Sequence, residues 1–167
     1  RGLGDPRGEG GARGLLERHV NHSDAFIEML VVAPLTGEVL VSSGPAADGR
    51  NMAEDPGVLE VVRTRRPFIR AVYYSKMRQR AAMSFCAPVF SLADKERMAG
   101  VLVVQIALAR SLYTILLDRS TMGVTGESLI VSPEGVALSE LRWQHNAVSR
   151  QQISAEPALR ARSGETG

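Results

Sequence analysis

FIEMLVVAPLTGEVLVSS, residues Phe26 to Ser43, decides the fold. A run rich in Phe, Ile, Leu and Val is followed by a short segment holding Pro34 and Gly37, and then by a second β-rich run. Two such runs joined through a glycine-containing turn predict a β-hairpin. The same grammar returns downstream. FIRAVYYS (Phe68 to Ser75) and AAMSFCAPVFSL (Ala81 to Leu92) are predicted strands joined by a polar link, KMRQR. A charged turn, ADKER, leads into MAGVLVVQIAL (Met98 to Leu108), whose nearly unbroken apolar run suits a central strand covered on both faces.

Helices are predicted between these strands. Leu15, Leu16, His19 and Val20 fall at helical spacing between Leu15 and Asp24. Asp55 stands before Pro56, an N-cap followed by proline at the first helical position. Val58, Leu59, Val61 and Val62 then line a helix that must stop before Pro67. Ser111 to Leu117 is predicted to cross back over the sheet as a helix, and ESLIVS, PEG and VALSE (Glu127 to Glu140) to form a last hairpin. Strands clustered in hairpin pairs, instead of alternating with helices, predict an α+β fold: a central antiparallel β-sheet with flanking helices. Residues 1–14, rich in Gly and Arg, read as a flexible arm or linker, and residues 15–142 as the folded module. In the tail, residues 143–167, only a β-like fragment around Ile153 and a short helix, AEPALRAR, are predicted.

Composition narrows the function. A chain of 167 residues, 44% hydrophobic and 23% charged, can bury a core without disulfides or metal. A net charge of +2, scattered arginines and only 5% aromatic residues do not make the basic, stacking surface that nucleic acid requires. The lone cysteine, Cys86, excludes an intramolecular disulfide. No run reaches the roughly 18 apolar residues of a membrane span. The longest candidate, Ala99 to Leu108, is short and interrupted by Gln105. Because Arg1 stands where Met would, the sequence reads as a piece of a longer protein, with room for membrane segments outside it.

Catalytic chemistry finds little support. His19 and His22 could share one helix face, but only Asp24 stands near them as a ligand, so no metal site is expected. Cys86 sits in an apolar strand far along the chain from every histidine, which favours a structural thiol over a nucleophile. Ser84 and Ser128 lack an elbow motif, and no phosphate-binding glycine spacing occurs. Neither an enzyme nor a cofactor is expected. What remains is the region from Phe68 to Met83. Arg70, Tyr73 and Tyr74 lead into the basic link Lys76, Arg78 and Arg80, and then to the small residues Ser84 and Cys86. Aromatic hydroxyls beside cations suit a small organic anion. The competing reading is a core edge beside a solvated loop.

In order along the chain, FIEMLVVAPLTGEVLVSS, NMAEDPGVLEVVRTRRPFIRAVYYS, MSFCAPVFSLADKERMAGVLVVQIAL and GVTGESLIVSPEGVALSELR resemble the Cache family, in particular the first PAS-like module of double Cache sensors. The resemblance covers about Phe26 to Arg142, and the tail is similar to the start of a truncated second module. It implies a PAS-like sheet and an extracytoplasmic (periplasmic) place in an inner-membrane protein, a sensor histidine kinase, chemoreceptor or cyclic-dinucleotide enzyme. It also implies a ligand pocket at Arg70, Tyr73, Tyr74, Met77, Arg80, Ser84 and Cys86. The family's amino-acid-binding subgroup follows its arginine with tryptophan. Here Gln79 and Ala81 follow Arg78 and Arg80, which argues against an amino acid ligand. The expected partner is a small molecule, with no nucleic acid, no direct membrane contact, and homodimer formation left open. The alternative is a ligand-free structural or dimerisation module of the same kind of receptor.

Overall fold

A computed structural model describes residues 11–44, 47–75, 80–107, 123–144 and 147–166, with the side chain of Arg80 outside the description. Along the chain run α1 (Ala12–Asn21), β1 (Phe26–Val32), β2 (Val39–Ser42), α2 (Pro56–Thr64), β3 (Phe68–Ser75), β4 (Arg80–Phe90), β5 (Met98–Ala107) and α3 (Glu156–Arg162). The five strands form one antiparallel sheet in the order β2-β1-β5-β4-β3, so the α+β expectation holds. β5, whose nearly unbroken apolar run predicts a central strand, lies at the centre. The predicted helix from Ser111 to Leu117 lies outside the described residues.

Two compact units share the chain. The first takes it to Ala71 and again over Met83–Ala107; the second takes Val72–Ala82 and the chain from Leu108 on.

In the first unit, each face of the sheet carries its own apolar cluster. On one face Leu30, Val32, Val39, Cys86, Val101 and Val103 pack under Val58 and Val61 of α2. On the other, Leu16 of α1 packs with Met29 and Val41, and Val20, Phe26, Val31, Leu102 and Val104 adjoin them. Alternation along β1 and β5 produces both sets, since neighbouring residues on a strand face opposite ways. Helix α1 begins three residues earlier than the predicted Leu15, at Ala12. That extra turn carries Arg13, which donates to the Ser42 carbonyl at 3.0 Å and pairs with Asp48.

Local signals set α2. The Asp55 carboxylate accepts from the amides of Gly57 at 2.9 Å and Val58 at 3.3 Å, and Pro56 opens the first turn. Arg65 closes the helix in the left-handed region (φ 55°), with its amide on the Val61 carbonyl. The hairpin between β1 and β2 turns through Gly37 at φ 72°. A side chain there is excluded on two counts: the positive φ, and an Ala53 amide nitrogen 2.3 Å from where a Cβ would stand.

In the second unit, the expected strands over Glu127 to Glu140 narrow to isolated bridges. Val131 pairs with Ala137, and Val136 with Gln152. The hairpin itself is present: Leu138 donates to the Ile130 carbonyl and Ser132 to that of Val136, both at 2.8 Å, around a turn at Pro133 to Gly135. It does not widen into a ladder because side chains take backbone partners. The Ser139 hydroxyl accepts from the Ile130 amide at 2.9 Å, and the Glu127 carboxylate from the Arg142 amide. The short helix predicted in the tail is α3, which buries no residue.

Candidate functional site

The α2-facing side of β1 and β5 changes character along its length. Register pairs Val32 with Val101, then Leu30 with Val103, then Glu28 with Gln105. Because these pairs step by two residues, all six side chains share one face. The first two pairs are core. The third is polar and still buried, Glu28 at 3% and Gln105 at 6% exposure. The register slips between Phe26 and Glu28, so a bulge adjoins this pair. Bulges re-aim side chains and are common next to binding sites.

Glu28 is compensated. Its carboxylate accepts from the Arg50 guanidinium at 3.1 Å, an ion pair that also ties the loop after β2 to the sheet. Gln105 is not. Its side-chain oxygen is buried without any hydrogen-bond partner, alone in this among the described residues. A buried acceptor without a donor costs about 1–3 kcal/mol, and native proteins keep few. Ser84 adds a third buried polar residue. It lies two positions from Cys86 on β4 and therefore on the same face as the core cluster that holds Cys86. Polar residues thus stand on three adjacent strands.

The residues expected from sequence are divided. Arg70 pairs with Asp55 at 2.8 Å, so its charge braces the start of α2. Cys86 is buried in the apolar core, beside Gly57 of α2. Burial first, and then the nearby Asp55 charge, push its thiol up to about 12, partly offset by Arg70; it is an inert thiol at neutral pH. Tyr73 and Tyr74 belong to the second unit. They line a cleft of about 370 Å³ with Val72, Ser132, Glu134, Val136, Leu138 and Ser149. Met77, Lys76 and Arg78, like the side chain of Arg80, lie outside the described residues.

His19 and His22 each turn a ring nitrogen to a carbonyl of their own helix, Leu15 at 2.8 Å and Arg18 at 2.7 Å. Among the described residues no cluster of His, Cys, Asp or Glu is placed to hold a metal ion. No described helix is long and apolar enough to cross a membrane.

Sequence reading passed over Glu28, Arg50 and Gln105. A signal was present: Glu28 and Gln105 are the polar interruptions of FIEMLVV and MAGVLVVQIA. A polar residue inside a strand buried on both faces needs a reason.

No family model matches the chain, and no curated protein matches its sequence. Solved structures do. An extracellular ligand-binding receptor from Desulfohalobium retbaense superposes with a TM-score of 0.61 at 13% identity, over 78% of this chain and 24% of that one. The ligand-binding domain of the Pseudomonas aeruginosa amino acid chemoreceptor PctC, in complex with GABA, gives 0.55 at 18% identity, over 83% and 59%. The chain therefore spans about a quarter of the first protein's length and less than two thirds of the second's. Its fold is the PAS-like fold of Cache-type sensor domains.

Proposed function

We propose that this chain is the small-molecule-sensing part of a bacterial transmembrane receptor, standing outside the cytoplasmic membrane and holding its ligand on the polar end of the sheet face at Glu28, Ser84 and Gln105. The observation that carries this reading is the buried, unpartnered oxygen of Gln105. A ligand that brings an N–H or O–H group supplies the missing donor, and the neighbouring carboxylate of Glu28 favours the same polarity.

The sequence expectation of a small anion drew on Tyr73 and Tyr74 beside Arg70, whose guanidinium is engaged by Asp55, and on the basic link Lys76, Arg78 and Arg80, whose side chains lie outside the described residues. The face built from Glu28, Ser84 and Gln105 instead suits a metabolite with a donor group, such as an amine, an amide or an amino acid. The PAS-like fold supports a sensor, and the PctC domain is in complex with GABA, a small amino acid with both an ammonium and a carboxylate group. The site carries the functional reading, and the fold supports it. Signalling follows if the ligand binds one of two packings of α2 on the sheet more tightly than the other.

A thermal-shift screen against amino acids, amines, amides and small carboxylates tests the reading. A ligand at a hundred times its dissociation constant adds about 2.7 kcal/mol and raises the midpoint by several degrees. Loss of that shift in Gln105→Met places the ligand on this face. A folded protein with no shift from any class returns the ligand-free module.

A further inference from the structure

The loop that follows β2 grips two elements on opposite faces of the sheet. Asp48 pairs with Arg13 of α1, the helix that packs on the Met29 and Val41 face. Arg50, two residues on, pairs at 3.1 Å with Glu28, which shares the α2 face with Leu30 and Val32. Gly49 stands between them in the left-handed region at φ 72°, a conformation that lets the chain turn sharply from one grip to the other. The piece is fastened to the edge of the sheet as well. The Gly49 amide donates to the Val39 carbonyl at 3.1 Å, and the Val39 amide to the Arg50 carbonyl at 2.8 Å. Asp48 and Arg50 thus belong to one short, hydrogen-bonded segment.

Helix α1 depends on its grip. It has ten residues, whereas an isolated helix of fewer than about 12–15 is marginal in water. Its N-cap, Gly11, makes no side-chain cap, its first turn holds no acidic residue, and Leu16 is its one buried residue. Arg13 instead places a positive charge at the positive end of the helix dipole. The Asp48 carboxylate offsets that charge, and it also accepts from the Ser42 hydroxyl at 3.0 Å at the end of β2. A shift of Asp48 therefore removes support from the first turn of α1.

We propose that the segment from Asp48 to Arg50 is a relay through which the polar face controls the docking of α1. Glu28 is the register partner of Gln105, and its carboxylate accepts from Arg50. A donor-bearing ligand at Gln105 competes with the Arg50 guanidinium for that carboxylate. As Arg50 yields, the segment shifts, Asp48 draws away from Arg13, and α1 loosens from its face of the sheet. Coupling of this kind is reciprocal, so firm docking of α1 also holds Arg50 on Glu28. The relay rests on the reading of Glu28 and Gln105 as the ligand site, but its coupling is measurable without ligand.

Hydrogen exchange of the whole chain, read amide by amide, tests the relay. Asp48→Asn breaks the grip on α1 directly and should speed exchange from Leu16 to Val20 at least about tenfold. Glu28→Gln acts on the far face of the sheet and should speed the same amides by a similar factor. Arg50→Gln breaks the same ion pair from its partly exposed side, and serves where Glu28→Gln folds poorly. In the double variant of Asp48→Asn and Arg50→Gln, α1 should exchange no faster than in Asp48→Asn alone, because the relay is already cut. The amides of Leu102 to Val104 on β5, which report opening of the whole sheet, should keep their protection throughout. Unchanged α1 exchange in both Glu28→Gln and Arg50→Gln overturns the relay. So does full additivity in the double variant, or a β5 loss as large as that in α1. The two failures are distinct: a folded protein that binds no ligand removes the site, whereas uncoupled α1 exchange removes the relay and leaves the site.

Discussion

Glu28 on β1 and Gln105 on β5 are register partners on the same face of the sheet, one ion-paired to Arg50 and the other left without a donor for its oxygen. Two residues further along each strand, Leu30 and Val103 are core. The ion pair accounts for Glu28, whereas an apolar residue in place of Gln105 would pack without burying an acceptor, so the Gln105 amide serves something other than stability.

Gln105→Met follows from that asymmetry. Methionine has a similar shape and no acceptor to bury, so the ligand-free protein should gain about 1 kcal/mol or more in urea unfolding. A loss of similar size would mean that the Gln105 amide is already satisfied.

Asp55 has two roles, which can be separated. Asp55→Ala removes the α2 cap and the partner at 2.8 Å from Arg70, and should cost about 1–2 kcal/mol. Asp55→Asn keeps an acceptor for the Gly57 amide and should lose less. Equal losses from the two substitutions would show that the ion pair outweighs the cap.

Gly57→Ala should be destabilising although alanine is the better helix former. A Cβ at Gly57 would stand 2.6 Å from the Cys86 sulfur, inside contact distance, and overpacking of this kind costs about 1–3 kcal/mol. In a Cys86→Ala background the penalty should shrink. Chemical denaturation of the four proteins of that cycle checks the coupling; strict additivity would contradict the close approach.

The Cys86 thiol predicts a pH effect of fixed sign. Below pH 9, the ordinary thiol value, folded and unfolded chains both keep the proton. Between pH 9 and about 12 only the unfolded chain releases it, so stability falls across that window. Other groups titrate there too, and the contribution of Cys86 is the part of the slope that Cys86→Ala removes. The same burial makes the thiol unreactive towards an alkylating probe at pH 8 until the protein unfolds.

Much of the fold was legible because its signals are local. β3 occupies the predicted Phe68 to Ser75, and α2 lies between the Asp55–Pro56 start and the Pro67 stop. The last hairpin was legible as a turn but not as a ladder, since alternation over Glu127 to Glu140 does not reveal that Ser139 and Glu127 occupy backbone amides. The candidate site was less visible, for the same reason at longer range. Arg70 looked free in sequence and is taken by a carboxylate fifteen positions back. Glu28 and Gln105 meet only through a β1–β5 register that bridges most of the first unit. Each alone is a polar residue in an apolar strand; only pairing makes them a place.

Titration calorimetry of the strongest ligand from the screen, against the wild-type chain and Gln105→Met, tests the sensor reading most directly. Saturable one-to-one binding to the wild type is expected, with at least about a tenfold loss in Gln105→Met, the size of effect that follows when a ligand's donor loses its buried acceptor. Equal affinity for the two proteins would contradict it and place the ligand elsewhere.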